Sequence, residues 1–414
     1  MTSLDLAYCQ DLDRQDPLAA IRDAFVLPEG VTYLVGNSLG AMPKTVPARV
    51  DQVVQNEWAQ GLVGSWNTAG WFDKPLTVGD RLAPLIGAGD GQVAVGDPTS
   101  VNLYKAVGAA LKLREDRTVV LSEAGSFPTD LYMLQGLTEW TGRHQLRLAA
   151  ADRSDLLELL TPDVAVVVLS HVDYRTGELL DMREITAKVH EAGALVVWDL
   201  CHSVGAVEID LPGCDVDFAI GCTYKYLNGG PGSPAFVYVA PRLQEQARQP
   251  LSGWHGHATP FAFTTDYEPA EGISRFRIST PAILSYAPLE ASLDLFATLR
   301  MAEVRRKSRA LTELFIALID QECSGFDLEI VSPRDADRRG SQVSLRHPHA
   351  YQVVRALMER GVHGDFRAPD VLRLGFVPLY LRFTDVWRCV AALRQVLADG
   401  EWQAQPEPQL TVVT

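Results

Sequence analysis

The sequence predicts an α/β fold built on a mainly parallel sheet, followed by a smaller α+β unit. Three observations predict it. Strand-like apolar runs alternate with helical stretches of ten or so residues through most of the chain, the pattern that lays helices on both faces of a parallel sheet. Two of those runs, Val164 to Leu169 and Ala194 to Trp198, are apolar without interruption, which suits central strands covered on both sides. At 414 residues the chain exceeds what one hydrophobic core ordinarily fills, so a second unit is expected.

The chain can be taken in order. Up to about Gly30 it reads as a polar arm with one or two helical turns in DPLAAIRDAF, led in by Pro17. YLVGNSLG then suits a short strand that stops at a turn, where glycines let a ligand approach the backbone; a plain strand-to-helix turn is the other reading. Val50, Val53, Val54 and Trp58 space a helix over Pro47 to Gln60. Trp66 and Trp71 follow in a glycine-rich stretch, where they cover an interface or wall a site for a flat aromatic ligand. DPTS opens a helix with Thr99 and Ser100 at its capping positions, a ready phosphate site or an ordinary cap. TVVLS is a strand, and FPTD caps the next helix, with Phe127 placed to stack on a flat ligand. QLRLA, a helix around Leu156 to Leu160, the strand Val164 to Ser170 and a helix from about Met182 to Ala192 complete the alternation.

Beyond PAFVYVA, Trp254 and Thr280 lie in irregular segments, where each is a phosphate donor or plain structure. From Ala282 a long helical stretch runs on, broken near Thr298 to Arg300. Short strands near Leu328 and Val343, a helix at Tyr351 to Arg360, a strand at Val371 to Phe376 and a helix at Thr384 to Ala398 form the α+β unit. The expected boundaries are an arm over 1–30, a large domain over 31–285 and a small domain over 286–414.

Composition narrows the function. The chain is 47% apolar and 21% charged, as soluble globular proteins are. With 37 basic and 52 acidic residues its net charge of −15 argues against nucleic acid or anionic membrane as a partner. The longest wholly apolar run is far short of a membrane span. Six cysteines (Cys9, Cys201, Cys214, Cys222, Cys323, Cys389) show no CxxC spacing, so no metal site and no disulfide framework is indicated, and they fit a reducing cytoplasm. The N-terminus has no apolar leader, so no signal peptide is read. GxGxxG and GxxxxGK[ST] are both missing.

The chemistry concentrates between Ala194 and Ser233. Asp199 ends one apolar run, and a carboxylate buried there needs a proton, a cation or donors. A second apolar stretch, Phe218 to Cys222, delivers Thr223, Tyr224 and Lys225 and then breaks into LNGGPGS. Ligands of parallel sheets collect beyond the carboxyl ends of the strands, where Asp199, Lys225, Ser170 and Phe127 all fall. An acid and a lysine facing one crevice suit pyridoxal phosphate: the lysine bonds the aldehyde as a Schiff base, and the acid keeps the pyridine nitrogen protonated. His202 would stack on the ring or hold its oxygen substituents. A capping or ion-paired aspartate and a solvated lysine are the plainer readings.

YLVGNSLG, SWNTAGWF, FPTDLY, SHVDYRTGELLDM, WDLCHSVGA, GCTYKYLNGGPGSPAF, SGWHGH and RLGFVPLY together resemble the kynureninase family, in order from about Tyr33 to Tyr380. The resemblance implies a pyridoxal 5′-phosphate enzyme of fold type I in the class V aminotransferase superfamily, a cytoplasmic homodimer that hydrolyses L-kynurenine to anthranilate and L-alanine. By the same resemblance Lys225 holds the cofactor, Asp199 pairs its ring nitrogen, and His202 and Ser170 lie nearby. Phe127 stacks on the ring with Asp130 in support. Thr99, Ser100, Tyr224, Trp254 and Thr280 surround the phosphate, the last two open to donation by the partner subunit. Tyr224 transfers a proton near the substrate carbonyl, Arg373 clamps the substrate carboxylate, and Trp66 and Asn37 complete the substrate side. Val35 stands where the family usually has Asp, and Pro98 where it usually has Thr or another non-proline residue. A cysteine desulfurase or lyase of the same superfamily, and a cofactor-binding protein without turnover, are the alternatives.

Overall fold

The computed structural model describes residues 4–406, so residues 1–3 and 407–414 of the expected arm and small domain lie outside it. In chain order the strands are β1 (Thr32–Tyr33), β2 (Val93–Val95), β3 (Val119–Glu123), β4 (Gln145–Ala149), β5 (Val164–Ser170), β6 (Leu195–Asp199), β7 (Phe218–Gly221), β8 (Phe236–Val239), β9 (Glu329–Ile330), β10 (Gln342–Arg346), β11 (Val362–His363), β12 (Asp365–Arg367) and β13 (Val371–Gly375). Seven of them form one sheet in the order β2-β8-β7-β6-β5-β3-β4. Within it β4, β3, β5, β6 and β7 run parallel, and β8 lies antiparallel to both β7 and β2.

Every residue of β5 and β6 is buried, because alternate side chains enter separate cores on the two faces. Val196 and Trp198 face one core, whereas Leu195 and Val197 face the other beneath the helix Thr99–Leu113. Each fully buried aliphatic side chain contributes about 1.5–3 kcal/mol of transfer free energy. That double cover is why these runs read as continuous apolar stretches rather than alternating ones.

A four-stranded antiparallel sheet, β12-β13-β10-β9, with the helices Met301–Glu322, Ala350–Glu359 and Phe383–Ala398, makes the C-terminal unit. Chain order and space diverge at the N-terminal side. β1 pairs in parallel with β11, and the Gly375 N–H donates to the Leu34 carbonyl at 2.7 Å, so the strand just after position 31 is bonded to the C-terminal unit.

Three local expectations change. The segment Leu156 to Leu160 is a series of turns, because a run this short before Pro162 cannot repay helix nucleation. The helix expected over Pro47 to Gln60 is α-helical over Val46–Gln52 and widens to a π-helical turn over Val53–Trp58. The arm contains an α-helix, Leu6–Gln15, started by the Asp5 carboxylate accepting from the Tyr8 N–H at 2.9 Å. Among the described residues no helix is long and apolar enough to cross a membrane.

Candidate active site

At the carboxyl ends of β5, β6 and β7 a cavity of about 410 Å³ opens. Asp199, the last residue of β6, pairs in register with Ser170 on β5 and Ile220 on β7, so strand geometry delivers the first two to one wall. Lys225 follows β7, and its loop is tied off where the Thr223 hydroxyl meets Ser233 Oγ at 2.5 Å and the Pro234 carbonyl at 2.7 Å. The lysine Nζ lies 2.9 Å from His202 Nε2 and 5.9 Å from the centre of the Phe127 ring. Thr99, Ser100, Phe127, Asp130, Ser170, Asp199, His202, Tyr224 and Lys225 thus all line the same space.

Electrostatics divide these groups. Burial, then the charge of Asp199 in hydrogen-bonding contact, raises the Asp130 carboxyl well above the ordinary range, with Lys225 opposing. Burial and the charges of Lys225, Arg373 and Arg367 hold His202 far below the ordinary imidazole range, so it is neutral. The charge of Cys222, then burial, pushes the Tyr224 phenol up, so it keeps its proton. Asp199 is anchored by the Cys201 N–H, which donates to its Oδ1 at 2.8 Å.

Thr99 and Ser100 are the first two residues of the helix Thr99–Leu113 rather than its cap; Pro98 takes the cap position and offers no side-chain donor or acceptor there. The first N–H groups of that helix therefore face the cavity uncapped. Asp97 before them is held by Lys105 at 2.8 Å.

Five expected residues lie outside this wall. Arg373 is buried behind Tyr174: its Nε donates to Asp365 Oδ1 at 2.7 Å, Nη2 to Asp365 Oδ2 at 2.5 Å and Ser38 Oγ at 2.8 Å, and Nη1 to the Tyr174 carbonyl at 2.7 Å. It is not a surface arginine: a buried guanidinium takes the nearest carboxylate, here the residue directly opposite on β12. Four of its five N–H groups are engaged and one on Nη1 remains. Asn37 is fully buried and donates to Gln342 Oε1 at 3.0 Å, which joins the GNSLG turn to β10. Trp66 sits edge-on to Trp71 and Trp254, at 6.0 and 6.4 Å, in an aromatic cluster. Trp254 stacks on His255 at 5.0 Å. Thr280 is exposed on a neighbouring cavity of about 210 Å³.

Sequence reasoning missed Tyr174, which lines the cavity edge-on to Phe127 at 5.2 Å, and Asp365, which fixes Arg373. Asp365 carries no local signal of its own, because Arg367 and Asp370 charge the same hairpin and only the β12–β13 register sets Asp365 opposite Arg373.

The fold is that of the pyridoxal-phosphate-dependent transferase-like proteins. The chain matches solved structures of that class over most of its length. A cysteine desulfurase from Thermococcus onnurineus NA1 superposes with a TM-score of 0.77 at 19% identity, covering 92% of this chain and 98% of that one. A C-DES variant with glycine covalently linked to its PLP cofactor gives 0.77 at 18% identity, over 90% and 98%. Residues 304–393 match the family "Kynureninase C-terminal domain". A kynureninase from Burkholderia pseudomallei (strain 1106a) is 52% identical over 398 residues, 95% of each chain. The chain belongs to the kynureninase family.

Proposed function

We propose that the chain is a pyridoxal 5′-phosphate-dependent hydrolase acting on a carbon–carbon bond in a ketonic substrate. It cleaves L-kynurenine, or 3-hydroxy-L-kynurenine, with water to anthranilate, or 3-hydroxyanthranilate, and L-alanine in tryptophan breakdown. It works as a homodimer in the cytoplasm. The observation that carries this reading is Lys225 set across one strand-end cavity from the touching Asp199 and Asp130 carboxyls.

The residues present fit the cofactor. Asp130 Oδ2 and His202 Nδ1 are buried in the cavity wall with no hydrogen-bond partner, and the uncapped helix start at Thr99 and Ser100 suits a phosphate. When bound, the cofactor supplies an electron-withdrawing ring that stabilises negative charge on the substrate carbon. Lys225 anchors it and moves the proton at the substrate α-carbon. Asp199 would pair the ring nitrogen with Asp130 in support, and Phe127 and His202 would hold the ring. Tyr224, which keeps its hydrogen, donates at the substrate carbonyl. Arg373 uses its remaining N–H, braced by Asp365, to orient the substrate carboxylate. Trp66, Asn37, Trp254 and Thr280 act from the subunit boundary or behind the wall.

The desulfurase reading needs a cysteine on a mobile loop, whereas Cys201 and Cys222 are buried at strand ends. Adding L-kynurenine to the purified protein with pyridoxal 5′-phosphate is expected to produce anthranilate fluorescence. No anthranilate from a protein that binds the cofactor would overturn the reading.

A further inference from the structure

The register of the two central strands has a consequence beyond placing the acid and the lysine. β6 and β7 are parallel, with Asp199 opposite Ile220. Two residues further along, the same offset sets Cys201 beside Cys222. Neighbouring strands lie about 4.8 Å apart, inside the Cα separation of about 4.4–6.8 Å that disulfides adopt. The ladder continues for one bond, from the Leu200 N–H to the Ile220 carbonyl at 2.8 Å. A sulfur then replaces the main chain: the Cys222 N–H donates to Cys201 Sγ at 3.1 Å, and the Cys222 thiol reaches back toward the Cys201 carbonyl at 3.7 Å. Both residues are buried, and of the two only Cys201 reaches the cavity wall. The proposed reaction uses neither thiol.

We propose that Cys201 and Cys222 are a dithiol modification site that closes into a disulfide when a peroxide enters the cavity. Cys201, the sulfur on the wall, takes one oxygen from hydrogen peroxide and releases water, becoming a sulfenic acid. The Cys222 sulfur then attacks it and expels that oxygen as a second water, so two thiols give two electrons and two protons to one peroxide. Contact between the two sulfurs splits them: with burial it raises the Cys201 thiol well above the ordinary range, and with the charge of Lys225 it holds Cys222 below that range although burial alone would raise it, so the Cys222 sulfur takes the Cys201 proton as Cys201 attacks the peroxide. Closure takes the Cys201 sulfur from the Cys222 N–H and disturbs the Cys201 N–H that anchors Asp199. The cross-link therefore switches the site off until a thiol reductant reopens it.

The test is a peptide map of the full-length protein after hydrogen peroxide and alkylation, which reads the bond itself and not turnover. A peptide linking Cys201 to Cys222 is expected, with free thiols falling from six to four because one bond consumes two. Dithiothreitol should return all six. Cys201→Ala should yield no linked peptide, and Cys222→Ser should leave a sulfenic acid on Cys201 that dimedone traps. Should either variant fail to fold, the wild-type map decides alone. Recovering Cys201 and Cys222 separately alkylated after peroxide, or linked to other cysteines, would overturn the proposal.

Discussion

At 2.9 Å from Lys225, the neutral His202 accepts the lysine's hydrogen at Nε2, which puts its own hydrogen on Nδ1. That N–H is buried with no acceptor, a state that costs about 1–3 kcal/mol and that an oxygen-bearing ligand would relieve. Asp130 Oδ2 stands likewise unpartnered beside Asp199. Two buried polar atoms of the wall thus have no hydrogen-bond partner within the described residues. Lys225→Ala is expected to lower anthranilate production by at least about 10²-fold and to abolish the visible absorbance that titration with pyridoxal 5′-phosphate develops. Retained turnover in that variant would remove the lysine from the mechanism.

Between elements, the GNSLG turn is tied to the lysine loop. The Gly40 N–H donates to the Tyr224 carbonyl at 2.8 Å. A Cβ at Gly40 would lie 2.8 Å from the Asn228 Cα and closer still to the Lys225 carbonyl. The close approach expected of these glycines is met within the chain, at Gly40 by the Lys225 carbonyl and Asn228 and at Gly36 by the Val377 and Tyr380 side chains. Gly40→Ala is expected to cost about 1–3 kcal/mol in urea unfolding, and wild-type stability would show that the loop yields. A second junction ties the end of β3 to the loops around it: Arg153 bridges Glu123 and Glu178, and Arg338 from the C-terminal unit joins Glu178 at 2.7 Å. Burial raises the Glu123 carboxyl to about 7 despite Arg153. Between its unfolded pKa, about 4.3, and that value the folded state binds more protons than the unfolded one. Stability from this group therefore falls as pH rises across that window. Glu123→Gln is expected to flatten the decline in Tm from pH 5 to 7.5, a contribution on the order of a few kcal/mol. An unchanged slope would place the titration elsewhere.

At the scale of the whole molecule, an apolar cluster remains on the surface. Trp254 is 37% exposed, Phe261 65% and Phe263 85%, although Phe72, Trp66 and Phe261 pack together around Trp254. A second copy of the chain is the expected cover. Phe261→Asp with Phe263→Asp should shift sedimentation from dimer to monomer and lower anthranilate production by about 10-fold or more. A double variant that sediments as the wild type does would clear these residues from the interface. Such long-range juxtaposition is what sequence reading could not reach. The alternation of strands and helices, the buried β5 and β6, the strand-end positions of Asp199 and Lys225 and the helix opening at Thr99 were all legible, because each depends on side chains within a few residues of one another. Local sequence also carried β9, β10 and β13 of the C-terminal unit, but not β11 or β12. It could not tell that Arg373 spends its donors on Asp365, that Asn37 is tied to Gln342, or that β1 belongs with β11. Those pairings join segments brought together only when the sheets assemble. A buried charge or amide then bonds to whichever partner the packing supplies, since leaving it unpaired costs more than any local preference can repay.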